Sequence, residues 1–492
     1  MPRMPSLLPL TRRRLIAGIG LSVTTLALPG RGFGAETGAD GYRVLHARKG
    51  QALLRGKSAR PTPIWGYDGQ CPGPTLRVKQ GEELKVRLVN DLDQPTVIHW
   101  HGQRLPNAMD GVPFLTQKPV KPGESFDYHF TPQDAGSFWY HTHFGSSEQL
   151  ARGLYGVLIV DEREAPQVDR ELMLVVDDWR LSEDGGIHPS FGNFHDAMMA
   201  GRLGQYITLN SQDTLDLPVK TNERLRLRIV NTANSRIFQF RIAKHRARVM
   251  AVDGQPCPPE IAPNGVLRLA PGNRVDLFLD ATLEPGARAP ITVDDLRGGE
   301  LQVGQLVYDK GEPMRAKPLA EPKPLADNPL PAKLDLAGAF KLDVPLDGGG
   351  MGMMMGRGMG GGMGGGMGGG AGPGRFPGYG IPQQQRIWAL AGVAATGHDG
   401  PPMFTVERGR TVMLTYGNRT SFPHAMHVHG HHFRQFDGSG EGFKPYWLDT
   451  VIVDPERTER IAFVADNPGK WMMHCHMIEH MAFGMAAWFQ VT

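Results

Sequence analysis

Cysteine is scarce: the chain of 492 residues has three, Cys71, Cys257 and Cys475. That excludes a small disulfide-stapled fold, and the odd count leaves at least one thiol outside any internal pair. Cys71 and Cys257 could pair or could be two unrelated buried thiols, and nothing in their surroundings selects between the two. Aromatic residues are few, at 8%. Beyond a stretch near the N-terminus, no segment is long and apolar enough to span a bilayer. No charge dominates either. Five of the 53 lysines and arginines precede Glu36, leaving 48 basic against 50 acidic residues. A chain so balanced offers no basic patch to a nucleic acid. What it has in plenty is glycine (64) and proline (40), which suits turn-rich all-β structure better than helical bundles.

Residues 1–35 read as a twin-arginine signal. Arg12-Arg13 precede an apolar run from Leu15 to Leu28, and small residues follow near Gly34 and Ala35. Such signals direct folded proteins to the export machinery, often with cofactor bound. The apolar run is short and interrupted by Gly, Ser and Thr, which disfavours an anchor. The expectation is a periplasmic protein with the twin-arginine machinery as a partner and no stable membrane anchor.

Three segments share one frame: "TLRVKQGEELKVRLVN", "LPVKTNERLRLRIVN" and "FTVERGRTVMLTYGN". Val78, Val219 and Val406 correspond. Gly81, Asn222 and Gly409 follow three residues later, and Asn90, Asn231 and Asn418 nine after those. Between turn and Asn, apolar and polar residues alternate (Leu84, Val86, Leu88; Leu225, Leu227, Ile229), the period of a half-buried strand. Three copies predict three related β-sandwich domains. Nine residues past the Asn stand His99 in "HWHG", Phe240 in "FQFRI" and His427 in "HVHG". The middle copy, with Phe240 and Ile242 in place of His-x-His, reads as a spacer without metal. The predicted boundaries are domain 1 at 36–165, domain 2 at 166–312, a Pro-rich linker at 313–332 and domain 3 at 333–492. Phe340, Leu342 and Val344 alternate like a strand, so the Met/Gly-rich run at 348–375 reads as an insertion in domain 3. Its glycine density disfavours a helix.

Four clusters hold the candidate ligands: His99 and His101; His141 and His143; His424, His427 and His429; and "HCHMIEH" with its later methionine, giving His474, Cys475, His476, His480 and Met485. Ten of the 18 histidines fall in them. Residues i and i+2 of a strand face the same way, so each His-x-His can aim two imidazoles into one space. Structural zinc sites are closed four-ligand tetrahedra. Two imidazoles (His480 and His424), one thiolate (Cys475) and a weak thioether (Met485) instead describe a blue-copper electron-transfer site, and imidazole-only pockets also suit copper.

The motifs "HWHG", "WYHTH", "HVHG" and "HCHMIEHMAFGM" resemble, in order and spacing, those of the three-domain multicopper oxidases, the group of laccases and periplasmic cuprous oxidases. The resemblance spans about residue 41 to 492, the insertion excepted. It implies three cupredoxin-like Greek-key sandwiches and four copper ions. His424, Cys475, His480 and Met485 would bind the type 1 copper, with Cys475 as the electron-transfer ligand, and His99 and His427 the type 2 copper. His101, His141 and His476 would hold one type 3 copper, and His143, His429 and His474 the other. The trinuclear group would sit between domains 1 and 3 and reduce O2 to water by four electrons. Water formation consumes protons. Asp110, eleven residues after His99, matches the family's usual acid there and is the candidate relay, ahead of Glu479 and Asp449.

The chain departs from the family pattern at Ala425, where Pro is usual (Pro423 precedes), and at Met481, where many bacterial relatives carry an acid. The insertion holds Met351, Met353, Met354, Met355, Met359, Met363 and Met367, and thioethers suit Cu(I). The expectation is therefore a monomeric cuprous oxidase for copper detoxification. The alternatives are a laccase-like oxidase of phenols and a non-enzymatic copper-binding protein. Copper-tolerance members tend to place Asp and Met before the first type 1 His, where this chain has "NRTSFP". His431 and His432 read as surface or supporting groups. His46, His129, His188, His195, His245 and His398 lack a cluster and read as non-ligands.

Overall fold

The computed structural model describes residues 38–294, 298–331, 333–349, 385–440 and 442–492. Within them the repeated frame folds alike three times. Gly81, Asn222 and Gly409 all take positive φ (86°, 64° and 87°), the left-handed region that glycine enters freely and asparagine tolerates. The turn feeds strands Leu84–Asn90, Arg224–Asn231 and Thr411–Asn418. Each pairs in parallel with an earlier strand: Arg43–Ala52, Arg170–Trp179 and Phe340–Gly348 respectively. Each pairs antiparallel with a later one: Ser125–Phe130, Arg274–Asp280 and Thr458–Val464.

The closing asparagine does one job in every copy. Asn90 Nδ2 donates to the carbonyls of Gln94 and Val120, and its Oδ1 accepts from Leu92 N. Asn231 repeats this with Arg236, Leu269 and Ala233, and Asn418 with Phe422, Val453 and Thr420. A buried amide with its donors and acceptor satisfied fixes the loop that follows. The strand beyond that loop therefore starts from the same place each time.

The fold is all-β: six sheets enclose three large apolar cores, in three cupredoxin-like sandwiches, as the resemblance implies. The strand Phe340–Gly348 bears out the alternation of Phe340, Leu342 and Val344. Trp388–Leu390, beyond the Met/Gly-rich run, pairs antiparallel with its end (Gly348 with Trp388). The seven insertion methionines lie outside the described residues.

One expectation needs correcting. Leu84–Asn90 keeps its half-buried alternation, but Arg224–Asn231 is buried on both faces. Its arginines turn toward other parts of the protein instead of water. Arg226 bonds Asp276 and Glu162, and Arg228 bonds Asp276, Glu171 and Ser137 Oγ. Buried cations persist only with such partners. Alternation alone does not distinguish a solvent face from a face covered by acids of opposite charge.

Cys71 and Cys257 are free thiols. Cys71 packs beside the apolar group of Trp139, Tyr155 and Ile478, whereas Cys257 Sγ donates to Val249 O. Close to Cys71, Asp177 Oδ2 accepts from Tyr155 Oη at 2.6 Å and Oδ1 from Asp178 N at 2.7 Å. Burial, then the neighbouring Asp178 charge, pushes the Asp177 carboxyl well above its ordinary value. A raised folded-state pKa contributes stability in full below the unfolded value near 4, and that contribution is lost as pH rises through the raised value. Asp177→Asn removes this dependence. The difference in Tm, variant minus wild type, should grow from pH 4 upward, by about 1.4 kcal/mol in free energy for each tenfold displacement of the carboxyl's ionisation equilibrium. Scanning calorimetry at matched rates from pH 4 to 8 measures it; parallel curves would show that Asp177 ionises normally.

Candidate metal centre

Four short strands bring the histidines together. His99–His101 pairs antiparallel with Gly136–His141, so that His99 faces His141 and His101 faces Trp139. Between the two imidazoles, Trp100 turns the other way into the first core, against Tyr128, Phe130 and Tyr140. His424–Val428 pairs with Gly469–Cys475, setting Met426 opposite Cys475 and His427 opposite His474. Strand alternation then sorts the side chains. His427 and His474 point to one side, and His424, Met426 and Cys475 to the other.

On the first side eight histidines converge, all 0–3% exposed. His143, His429 and His474 meet most closely: His474 Nε2 lies 3.1 Å from His429 Nε2 and 3.4 Å from His143 Nε2. His99 stacks on His429 and His101 on His427, with ring centroids 3.9 and 3.8 Å apart. His476 lies against His101 and His141 at 4.9 and 5.3 Å. Potential ligand atoms cluster within 4.8 Å in four overlapping sets: His143, His429 and His474; His99, His101 and His141; His99, His427 and His429; and His101, His427 and Asp449.

The outer nitrogens of these rings are held. His99 Nδ1 donates to Asp110 O (2.8 Å), His141 Nδ1 to Thr142 O, His427 Nδ1 to Asp449 O and His474 Nδ1 to Cys475 O. His101 Nε2 lies 3.1 Å from Asp449 Oδ1, and His429 Nδ1 3.0 Å from Asp110 Oδ2. Inner nitrogens are left without partners: Nε2 of His99, His141 and His427, Nδ1 of His101, and both nitrogens of His476. Buried polar atoms normally have partners. Burial first, then in most cases the neighbouring imidazoles, holds His101, His141, His143, His429, His474 and His476 well below the ordinary histidine value. Neutral rings with inward lone pairs and outer nitrogens anchored to oxygen are what a metal of imidazole preference requires. The residues fit copper.

Asp449 organises the rear wall. Arg274 donates to both its oxygens, at 2.9 and 2.5 Å, and Thr450 Oγ1 donates at 2.9 Å. Burial alone would raise this carboxyl, but Arg274 and His101 outweigh it and hold Asp449 well below the usual carboxylate range. Arg274 also donates to Asp253 O. The middle domain supplies no histidine or cysteine to these clusters, yet it is more than a spacer. It contributes Asp253, Arg274 and Gly272. At φ +90°, Gly272 has no room for a side chain: a Cβ there would lie 3.0 Å from His101 Cε1 and 3.2 Å from His476 Cδ2. His431 and His432 are buried, not superficial. His431 Nδ1 donates to His429 O, and His432 Nε2 lies 3.6 Å from Asp449. Burial lowers both to about 4.

On the second side His424, Cys475 and His480 converge. His424 Nδ1 lies 3.6 Å and His480 Nδ1 3.9 Å from Cys475 Sγ, and the two nitrogens are 3.2 Å apart. The outer nitrogens are again occupied: His424 Nε2 lies 2.8 Å from Thr420 Oγ1, and His480 Nε2 donates to Met199 O at 2.8 Å. Met485 is buried in the same core as Cys475. The Trp388 ring packs against His480 with centroids 4.2 Å apart and planes tilted by 38°. Burial pushes the Cys475 thiol up to about 12, so the thiolate needs a bound cation to persist. Glu479 Oε2 accepts from Arg202 N and Ser235 Oγ, Oε1 is buried without a hydrogen-bond partner, and burial raises its carboxyl.

Sequence spacing missed Arg274, Thr420, Trp388 and the Met199 carbonyl. The last two act through ring packing and the backbone, which leave no residue-type signal. Arg274 begins the strand Arg274–Asp280, where its alternation with Asp276 and Asp280 reads as an ordinary polar face.

Cupredoxin-like sandwiches carrying a thiolate–imidazole cluster on one side of a strand and a many-histidine chamber on the other define a copper redox protein. Family models described as multicopper oxidase match residues 48–165, 179–289 and 381–492. The crystal structure of a multi-copper oxidase from Pseudomonas thermotolerans is similar at 33% identity and TM-score 0.77, covering 91% of this chain and 98% of that one. Multicopper oxidase MmcO of Mycobacterium tuberculosis is 28% identical over 85% of this chain and 81% of its own length. Laccase-3 of Oryza sativa is 27% identical over 86% and 88%. The chain belongs to the multicopper oxidase family. It is a copper-dependent oxidoreductase with O2 as acceptor, which removes the non-enzymatic reading.

Proposed function

We propose that the chain couples one-electron oxidation of Cu(I), in periplasmic copper detoxification, to the four-electron reduction of O2 to water. The ligand sets are those implied by the motifs. His424, Cys475, His480 and Met485 hold a type 1 copper, and His99 and His427 a type 2 copper. His101, His141 and His476, and His143, His429 and His474, hold the type 3 pair. Bound copper supplies one-electron acceptance at the first site and dioxygen reduction at the other three.

The observation that carries this reading is the alternation around Cys475. Its Sγ faces His424 and His480, while His474, one residue away, faces His143 and His429. The two centres are then joined by the few bonds between adjacent residues, and His474 Nδ1 donates back to Cys475 O. Asp110 is suited to proton supply. Oδ2 is bonded to His429, and Oδ1, buried 3.3 Å from His99 Nδ1, accepts no hydrogen bond, which leaves it placed to relay a proton between the two rings. Asp449 has both oxygens engaged by Arg274, so it orients His101 and His427 and compensates charge.

Support for Cu(I) comes from the seven insertion thioethers together with Trp388, which packs against His480 a short way past the insertion. Phenol oxidation is the second reading, favoured by the likeness to a plant protein called laccase. The remaining proposals are the twin-arginine signal at 1–35, monomeric action without a membrane anchor, and the boundaries 36–165, 166–312, 313–332 and 333–492. The three apolar cores support the three-domain division.

Deleting residues 351–370 tests the substrate. The kcat/KM for Cu(I) should fall about tenfold relative to that for a phenol, measured side by side with Fe(II). Equal loss of both activities, or loss of neither, removes the methionines from the mechanism.

A further inference from the structure

The segment covering His480 is a firmly tied helical turn. Asn193 caps Phe194–Met198, its Oδ1 accepting from His195 N and Asp196 N. Arg180 clamps Asp196 at 2.6 Å, and Trp388 Nε1 donates to Ala197 O at 2.7 Å. Met199 O then accepts from His480 Nε2, and Arg202 N donates to Glu479. On this turn His195, Met198 and Met199 stand at i, i+3 and i+4, the spacing that puts side chains on one face. His195 is exposed, Met199 is 46% exposed, and Met198 is half-buried against the third core. His195, isolated in the sequence, thus shares its turn with two thioether residues, Met198 in its last helical position and Met199 at its C-cap.

We propose that His195, Met198 and Met199 form the landing site for Cu(I), a soft d10 cation suited to two thioethers and an imidazole. This deepens the cuprous-oxidase reading and rests on it. The route inward is short: Met199 carries both a donor sulfur and the carbonyl bonded to the His480 ring. Each Cu(I) loses one electron and departs as Cu(II). Four such losses, with four protons from solvent, reduce one O2 to two waters, and no other oxidant is required. The same turn occupies His480 Nε2, so a phenol meets this cap and not a free imidazole nitrogen.

The test uses the copper-loaded full chain and Ag(I), a d10 probe that does not reduce the enzyme. Calorimetric titration compares wild type with the double variant His195→Gln/Met199→Leu, in the intact chain and again after deletion of 351–370. The double variant should lose one Ag(I) equivalent in both backgrounds. Its KM for Cu(I) should rise about tenfold while the blue absorption band stays in place. An unchanged Ag(I) count with an unchanged KM overturns the site. A wild-type enzyme that oxidises phenols but no Cu(I) overturns the cuprous reading, and the Ag(I) count then decides the landing site separately.

Discussion

Cys475→Ser should abolish both the blue absorption and turnover while leaving the fold in place. The sulfur stands between His424 Nδ1 and His480 Nδ1 at 3.6 and 3.9 Å. Serine fills nearly the same volume, but its hydroxyl ionises even less readily than a thiol already pushed up to about 12. The site then has two neutral imidazoles and a thioether, with no anionic ligand to accept or pass an electron. The loss should exceed the roughly 10–100-fold typical of removing an outer partner of a metal ligand. Folding should survive. A buried hydroxyl short of a partner costs about 1–3 kcal/mol, against typical reserves of about 5–15 kcal/mol. The histidine chamber faces the other way and should keep its metal. Metal analysis should show one copper lost per chain, with oxygen uptake at background. Turnover above about a hundredth of wild type would refute the proposed wiring.

Asp110→Asn should separate electron entry from oxygen reduction. Asparagine matches the carboxylate in size, and its carbonyl can accept from His429 Nδ1 as Asp110 Oδ2 does at 3.0 Å. The backbone carbonyl that receives His99 Nδ1 is untouched. What disappears is the capacity of Oδ1, 3.3 Å from His99 Nδ1 and accepting no hydrogen bond, to carry a proton. General acid–base contributions run to about 10²–10⁴-fold, and kcat should fall by that order. Anaerobic bleaching of the blue band by substrate should proceed at the wild-type rate, while its return on mixing with O2 should be slow. Stopped-flow absorbance resolves the two phases. Reoxidation within about threefold of wild type would show that protons reach oxygen by another route.

The ligand sets were legible in the sequence because strand alternation is a local rule. His99 and His101, or His474 and His476, need only a spacing of two to share a face, and Cys475 between the latter pair must take the opposite one. The repeat was legible for a related reason. Gly81, Asn222 and Gly409 answer one backbone demand, and Asn90, Asn231 and Asn418 one hydrogen-bonding demand. The unread parts depend on assembly between distant segments. Arg224, Arg226 and Arg228 alternate with apolar residues just as a solvent-facing row would, and they become interior through Asp280 and the Leu319 and Ala320 carbonyls at Arg224, and through Asp276, Glu162, Glu171 and Ser137 at the other two. The Arg274–Asp449 pair joins positions far apart along the chain. The turn 194–199 has five helical residues, too few to leave a periodic pattern, and its contact with His480 runs through a carbonyl that every residue type possesses.

Arg274 illustrates what such assembly implies for the order of events in folding. Its donors are taken up by the carbonyls of Ser137, Asp253 and Gly272 and by the carboxylate of Asp449, partners drawn from all three sandwiches. Within its own sandwich the guanidinium meets Asp253 Oδ1 at 3.6 Å, but its closer ion pair is with Asp449 of the third, and closing loops of that length carries an entropic cost before the contacts compensate it. The complete chamber therefore needs the whole chain. A fragment carrying the first sandwich alone should keep the His99, His101 and His141 set but not the sets that His427, His429 and His474 complete.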